Sequence, residues 1–169
     1  LQDTLQMKKN VDLLFLVFAT NTSGEISKLF KNPCLLSSAS SRLQLVPMIN
    51  AAHAIDWTTS IWSLHSEKPE DLQAISSLKK IKGVVIGKMS SNKTDSINSM
   101  ILANSAALFY LKSQGIPITV MYSDNHITRD DEIGSFYRSI LSFTSTIITP
   151  SNSLKEEVDN YTNGKIKVH

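Results

Sequence analysis

Short apolar runs rich in Val, Ile and Thr recur along this chain, each separated from the next by a longer amphipathic stretch. They are Val11–Ala19, Trp57–His65, Gly83–Met89 (GVVIGKM), Ile116–Ser123 (IPITVMYS), Thr146–Pro150 (TIITP) and Lys165–His169 (KIKVH). Val11–Ala19 is apolar at nearly every position, the pattern of a strand covered on both faces of its sheet. Helices are predicted between the runs: Leu43–Asp56 with Pro47 near its start, Pro69–Lys80, Thr94–Gln114, Asp130–Ser145 and Ser151–Tyr161. Pro69–Lys80 places acids first and lysines last, matching the helix dipole. Thr94–Gln114 has the strongest periodicity, with Ile97, Met100, Ile101, Leu108 and Leu111 on one stripe and Gly115 as a stop. In the final helix Ser153 and Glu156 have capping-box spacing, with Ser151 as the competing cap. Strands alternating with helices in this way imply right-handed βαβ units. The expected fold is a three-layer α/β/α Rossmann-like domain on a mainly parallel, doubly wound sheet.

With 169 residues, the chain is read as a polar N-terminal extension over 1–10 and a single domain over 11–169. A domain of that length buries about 70% of its unfolded surface and needs no disulfide or structural metal to be stable. Its 41% hydrophobic and 19% charged residues exclude a disordered chain. A formal charge of +2, from 17 basic and 15 acidic residues, gives no general pull toward nucleic acid. The one cysteine, Cys34, excludes a disulfide framework and multi-thiolate metal sites, and leans toward a reducing compartment. The longest apolar stretch, Met100–Leu111, is broken by Asn104 and Ser105 and is too short to span a bilayer. No signal-peptide pattern is visible, and a start at Leu1 reads as a segment cut from a longer protein.

In a doubly wound sheet ligands bind beyond the carboxyl ends of the strands. After the first strand, Ala19–Gly24 has one glycine where a dinucleotide turn needs three. Neither a phosphate-binding G-x-x-x-x-G-K-[ST] loop nor a G-x-S-x-G nucleophile elbow occurs, which argues against a nicotinamide or flavin enzyme and against an elbow-type hydrolase. Three segments carry candidate chemistry. Ser37–Arg42 is either a solvated loop whose serine caps the next helix or an anion and sugar-hydroxyl site, with Ser40 and Ser41 hydroxyls and a bidentate donor in Arg42. Lys88, leaving the third strand, is either exposed or faces a cleft where it meets a carboxylate or phosphate. Asp124-Asn125-His126, after the fourth strand, is either an Asx-turn with an exposed histidine or a set that orients hydroxyls and moves protons. His53 is expected to be packed and hydrogen-bonded on an apolar helix, while His65 stays ambiguous. Trp57 and Trp62 are expected to bury area, and Lys79, Lys80 and Lys82 to complete a helix C-terminus. No histidine pair has the i, i+4 spacing of a helical metal site, so no metal is expected, and the missing glycine fingerprint leaves no cofactor expected.

The last third of the chain carries a resemblance. Gly115-Ile116-Pro117 leads into a strand, followed by a helix, TIITPSNSLKEEV (Thr146–Val158) and KIKVH. This series resembles the acceptor-side half of two-domain (GT-B) glycosyltransferases of bacteria. Ser40-Ser41-Arg42-Leu43, the GVVIGKM strand and Ser123-Asp124-Asn125-His126 are similar to upstream segments of the same family. Gln44 departs from it where a second arginine is usual, and Ser123 stands where many retaining members have a histidine. The resemblance implies an enzyme half that moves a sugar from a nucleotide-sugar donor to a carbohydrate or lipid-linked acceptor hydroxyl, inactive without a second domain. It implies Asp124 and His126 as catalytic candidates and Ser40, Ser41, Arg42, Lys88 and Asn125 as acceptor-binding ones. Polysaccharide synthesis in the cytoplasm, with peripheral placement at the inner membrane face, is the setting it implies. The alternative expectation is a non-catalytic α/β interaction module.

Overall fold

In the computed structural model the described residues are 10–17, 45–63, 75–87, 97–123 and 126–169. Among the described residues there are six strands: β1 (Leu13–Val17), β2 (Thr59–Ser63), β3 (Gly83–Ile86), β4 (Ile118–Met121), β5 (Thr146–Ile148) and β6 (Lys167–Val168). The main helices are α1 (Val46–Ala54), α2 (Ile97–Ser113), α3 (Glu132–Leu141) and α4 (Asn152–Thr162). The strands form one sheet in the order β2-β1-β3-β4-β5-β6, and every neighbouring pair is parallel. The chain steps outward from β1 to β2, then returns past β1 to β3 and continues in one direction. The reversal places the topological switch point between β1 and β3.

Period-two alternation along the strands fills both faces. Leu14, Leu16, Val84, Ile86, Ile118, Val120, Ile147 and Val168 share one core with Leu108 and Leu111 of α2, Phe136 and Ile140 of α3, and Leu154 and Val158 of α4. Phe15 and Val85 face the other way and pack with Leu45 and Ile49 on and beside α1. Helices therefore lie on both sides of the sheet, the three-layer α/β/α Rossmann-like architecture that the alternation predicts.

Element ends are where the structure departs from the sequence pattern. The segment predicted to stay helical to Lys80 ends its helix at Ser77 among the described residues. Lys79 instead bridges to Asn10, with the Val11 N–H donating to its carbonyl at 3.2 Å, and Lys80 turns the chain at φ 64°. Ser151, not Ser153, caps α4: its hydroxyl accepts the Leu154 N–H at 3.3 Å. Asn163 and Gly164, both at positive φ, end the same helix. His53 is exposed rather than packed, because α1 turns Ile49 and Ala52 toward the sheet; its Nε2 still lies 2.9 Å from the Thr59 hydroxyl.

The amino ends of β1, β2 and β3 are tied by one carboxylate. Asp12 Oδ1 lies 2.7 Å from Lys82 Nζ, and Oδ2 accepts the Thr58 N–H at 2.9 Å. The Lys82 ammonium, followed by the Thr58 N–H, lowers the Asp12 pKa from 3.8 to about 2. Lys82 also sits 4.9 Å above the ring of half-buried Trp57. It serves this strand junction, not the helix terminus that its sequence position suggests.

Candidate active site

The described chemistry at the opposite, carboxyl edge gathers where the chain leaves β4. Tyr122 follows that strand and is buried, and its hydroxyl accepts the backbone N–H groups of both His126 and Ile127. A phenol oxygen has lone pairs for two such donors, so one side chain closes the turn back onto the sheet. Arg138 of α3 grips the same loop from the other side, donating to the carbonyls of Ile127 at 2.8 Å and Arg129 at 2.7 Å. Asp131 caps α3 by accepting the Gly134 N–H at 2.9 Å and pairs with Arg129, whose guanidinium it holds above its usual pKa. Gly134 is what lets the loop and helix approach. A Cβ there would stand 2.0 Å from the Arg129 carbonyl oxygen.

His126 rides on this loop. Its half-buried ring lies 4.8 Å from that of Tyr137 at a tilt of 44°, and Tyr137 in turn meets Tyr122 and Phe136 edge-on at 5.4 and 5.9 Å. The main chain of His126 is fixed from the sheet and its ring from α3. An imidazole held in that way can donate or accept a hydrogen bond, or carry a proton, without first being ordered.

Of the seven catalytic and binding candidates named from the sequence, only His126 falls among the described residues. Ser40, Ser41, Arg42, Lys88, Asp124 and Asn125 lie outside them, as do Cys34 and His65. Lys88 follows Gly87, whose N–H donates to the Leu16 carbonyl at 2.9 Å and carries the β1–β3 ladder one residue past β3 at the switch point. Sequence reasoning missed Tyr122, Gly134 and Arg138. The readable signal was the spacing Asp131-x-x-Gly134, a cap followed by a residue without a side chain. Among the described residues no group of three His, Cys, Asp or Glu could hold a metal ion, and no helix is long and apolar enough to cross a membrane.

No family model matches the chain, and no curated protein matches it. Among solved structures it is similar to AlinE4, an SGNH-hydrolase family esterase, at 14% identity and a TM-score of 0.43, over 90% of this chain and 94% of that one. Two mutants of AlinE4 match over the same shares at 14% identity, with TM-scores of 0.43 and 0.44. The expected membership among two-domain glycosyltransferases is corrected by these findings: the similar structures are esterases, and no transferase family model matches. Sugar transfer from a nucleotide sugar, the expected enzyme class, falls with it, and the non-catalytic module gains no support. At that identity and TM-score the likeness assigns this chain no reaction.

The reason the family motifs misled is visible in what they do here. Gly115, at φ 72°, ends α2; Pro117 presents its carbonyl to the Val84 N–H at 3.0 Å; Ser151 caps α4; and Lys167-Val168 is the short strand β6. Each is a device that any wound α/β sheet needs at a helix end or strand entry.

Proposed function

We propose that this chain binds a small, anionic, hydroxyl-bearing molecule beyond the carboxyl edge of its sheet, with His126 as the group that hydrogen-bonds to it or exchanges a proton with it. The observation that carries the reading is the immobilised His126 at the carboxyl end of β4, held through Tyr122 and Tyr137. It is supported by the general rule that wound parallel sheets take ligands outside the carboxyl ends of their strands, beside the switch point. In this reading Arg42 and Lys88 take the anionic group, the bidentate fork of Arg42 and the point charge of Lys88 acting together. Ser40 and Ser41 add hydroxyl and N–H donors, and Asp124 and Asn125 accept from and donate to ligand hydroxyls.

Calorimetry with glycerol 3-phosphate, which combines a phosphate with hydroxyls, tests the reading, with inorganic phosphate as the hydroxyl-free comparison. Binding of glycerol 3-phosphate that exceeds that of phosphate, and that weakens by roughly tenfold or more in Lys88→Ala and Arg42→Ala, is the expected result. Equal binding in both variants and the unchanged protein rejects the site.

A further inference from the structure

Helices of a parallel α/β sheet run back from its carboxyl edge, so their last turns and the segments entering the next strand collect at the amino edge. In this chain that edge has a distinct chemistry. Lys79, Lys80 and Lys82 precede β3, Lys112 is in the last turn of α2, Lys165 precedes β6 and Lys167 opens it; all six are exposed. The carboxylates at the same edge among the described residues are Asp56, half-buried Asp159, and Asp12, which is already paired with Lys82. Among the described residues the opposite edge carries Asp130, Asp131 and Glu156 beside Arg129, Lys155 and the Arg138 guanidinium, a mixed set without a run of lysines.

The large apolar side chains left exposed follow the same division. Ile55, 60% exposed, caps α1; Phe109, 67% exposed, lies four residues before the end of α2; Tyr161, 43% exposed, is the penultimate residue of α4. At a rise of about 1.5 Å per residue, Phe109 stands only about 6 Å above the α2 terminus. Three helices on two faces of the sheet thus each carry an apolar side chain toward one end of the molecule, among lysines.

We infer that this amino edge docks on an anionic lipid surface. Scattered single apolar tips enter the interface between headgroups and chains, while surrounding lysines remain in the headgroup layer. A protein partner would ask for one contiguous apolar patch, whereas Ile55 lies on a different helix layer from Phe109 and Tyr161. Nucleic acid and fixed phosphates favour the bidentate guanidinium, yet among the described residues the cations at this edge are lysines, the Arg138 guanidinium being turned back to the Ile127 and Arg129 carbonyls; lysines are point charges suited to a fluid, diffuse anionic layer. Such docking leaves the carboxyl edge, with His126, facing the solution.

The test is flotation of the intact chain with phosphatidylcholine vesicles, with and without a minority of phosphatidylglycerol. Binding is expected only to the anionic vesicles, and it should fade between about 0.1 M and ~1 M salt as the charges are screened. The set Lys80→Glu, Lys165→Glu and Lys167→Glu should weaken it by more than about tenfold, while Lys155→Glu at the opposite edge leaves it intact. Lys→Gln at the same three positions gives a milder version of the same loss if charge reversal disturbs folding. The set Ile55→Ser, Phe109→Ser and Tyr161→Ser should also weaken binding, with an unchanged salt slope. Equal binding to neutral vesicles, equal loss with Lys155→Glu, or binding to duplex DNA without binding to vesicles overturns the inference. Failure here leaves the carboxyl-edge reading untouched, because glycerol 3-phosphate binding is read in the absence of lipid.

Discussion

The Tyr122 hydroxyl accepts the backbone N–H of Ile127, five residues further along the chain, at 2.5 Å. With the matching bond from the His126 N–H, it converts the exit from β4 into a closed turn anchored in the hydrophobic core. A backbone held at that point needs no ordering when a ligand arrives, which is how a rigid sheet lends precision to a loop.

Tyr122→Phe keeps the ring in the core and removes only the oxygen. Two N–H groups then lose their acceptor, and a loss of about 1–3 kcal/mol in urea unfolding is expected. Faster amide exchange at His126 and Ile127, with β4 amides unchanged, localises the effect; unchanged exchange at both would show that the hydroxyl does not hold the turn.

Gly134→Ala sets helix propensity against packing. Alanine is favoured over glycine within a helix by about 1 kcal/mol. Its Cβ, however, would meet the Arg129 carbonyl at 2.0 Å, a backbone atom that cannot swing aside. Packing should win, with a net loss of about 1–3 kcal/mol. A stabilised variant would mean that loop and helix are not in contact.

Ser151→Ala should cost about 1 kcal/mol through the lost cap of α4, and Ser153→Ala only a few tenths. Thermal unfolding of the pair decides between the two serines that the sequence offers as caps.

The Asp12 pKa is held below its ordinary value by Lys82 and Thr58, so its contribution to stability is present above the unfolded value of 3.8. It fades as pH falls from about 4 through about 2. Asp12→Asn should therefore be less stable than the unchanged chain at neutral pH, with the gap closing as pH is lowered toward 2. A gap that stays constant with pH would remove the ion pair from the account.

Much of the architecture was readable because strand and helix signals here are strong and local. The run around Leu13–Val17 is apolar on both faces because both faces are covered, and Gly115 ends its helix by a conformation that other residues resist. Ser151 was readable only as one of two caps, since spacing alone cannot say which serine takes the extended backbone a cap needs. The site was less legible. His126 was marked by its place after a strand, but Tyr122 and Arg138 act on backbone groups of the same β4–α3 connection, and no sequence pattern says that a tyrosine in a strand exit will accept two N–H groups. The family resemblance failed for a related reason: its motifs record how a sheet is wound, which chains of unrelated chemistry share.

In the proposed function a ligand is met at the carboxyl edge, beside His126. NMR of the His126 ring resonances during titration with glycerol 3-phosphate reads out that contact. Saturable shifts are expected at His126 and at the amides of Gly87, Tyr122 and Ile127, with the midpoint moved to roughly tenfold or more higher ligand in Lys88→Ala. Shifts confined to the amino edge around Lys80 and Lys167, or none at His126 up to saturating concentrations, would contradict it.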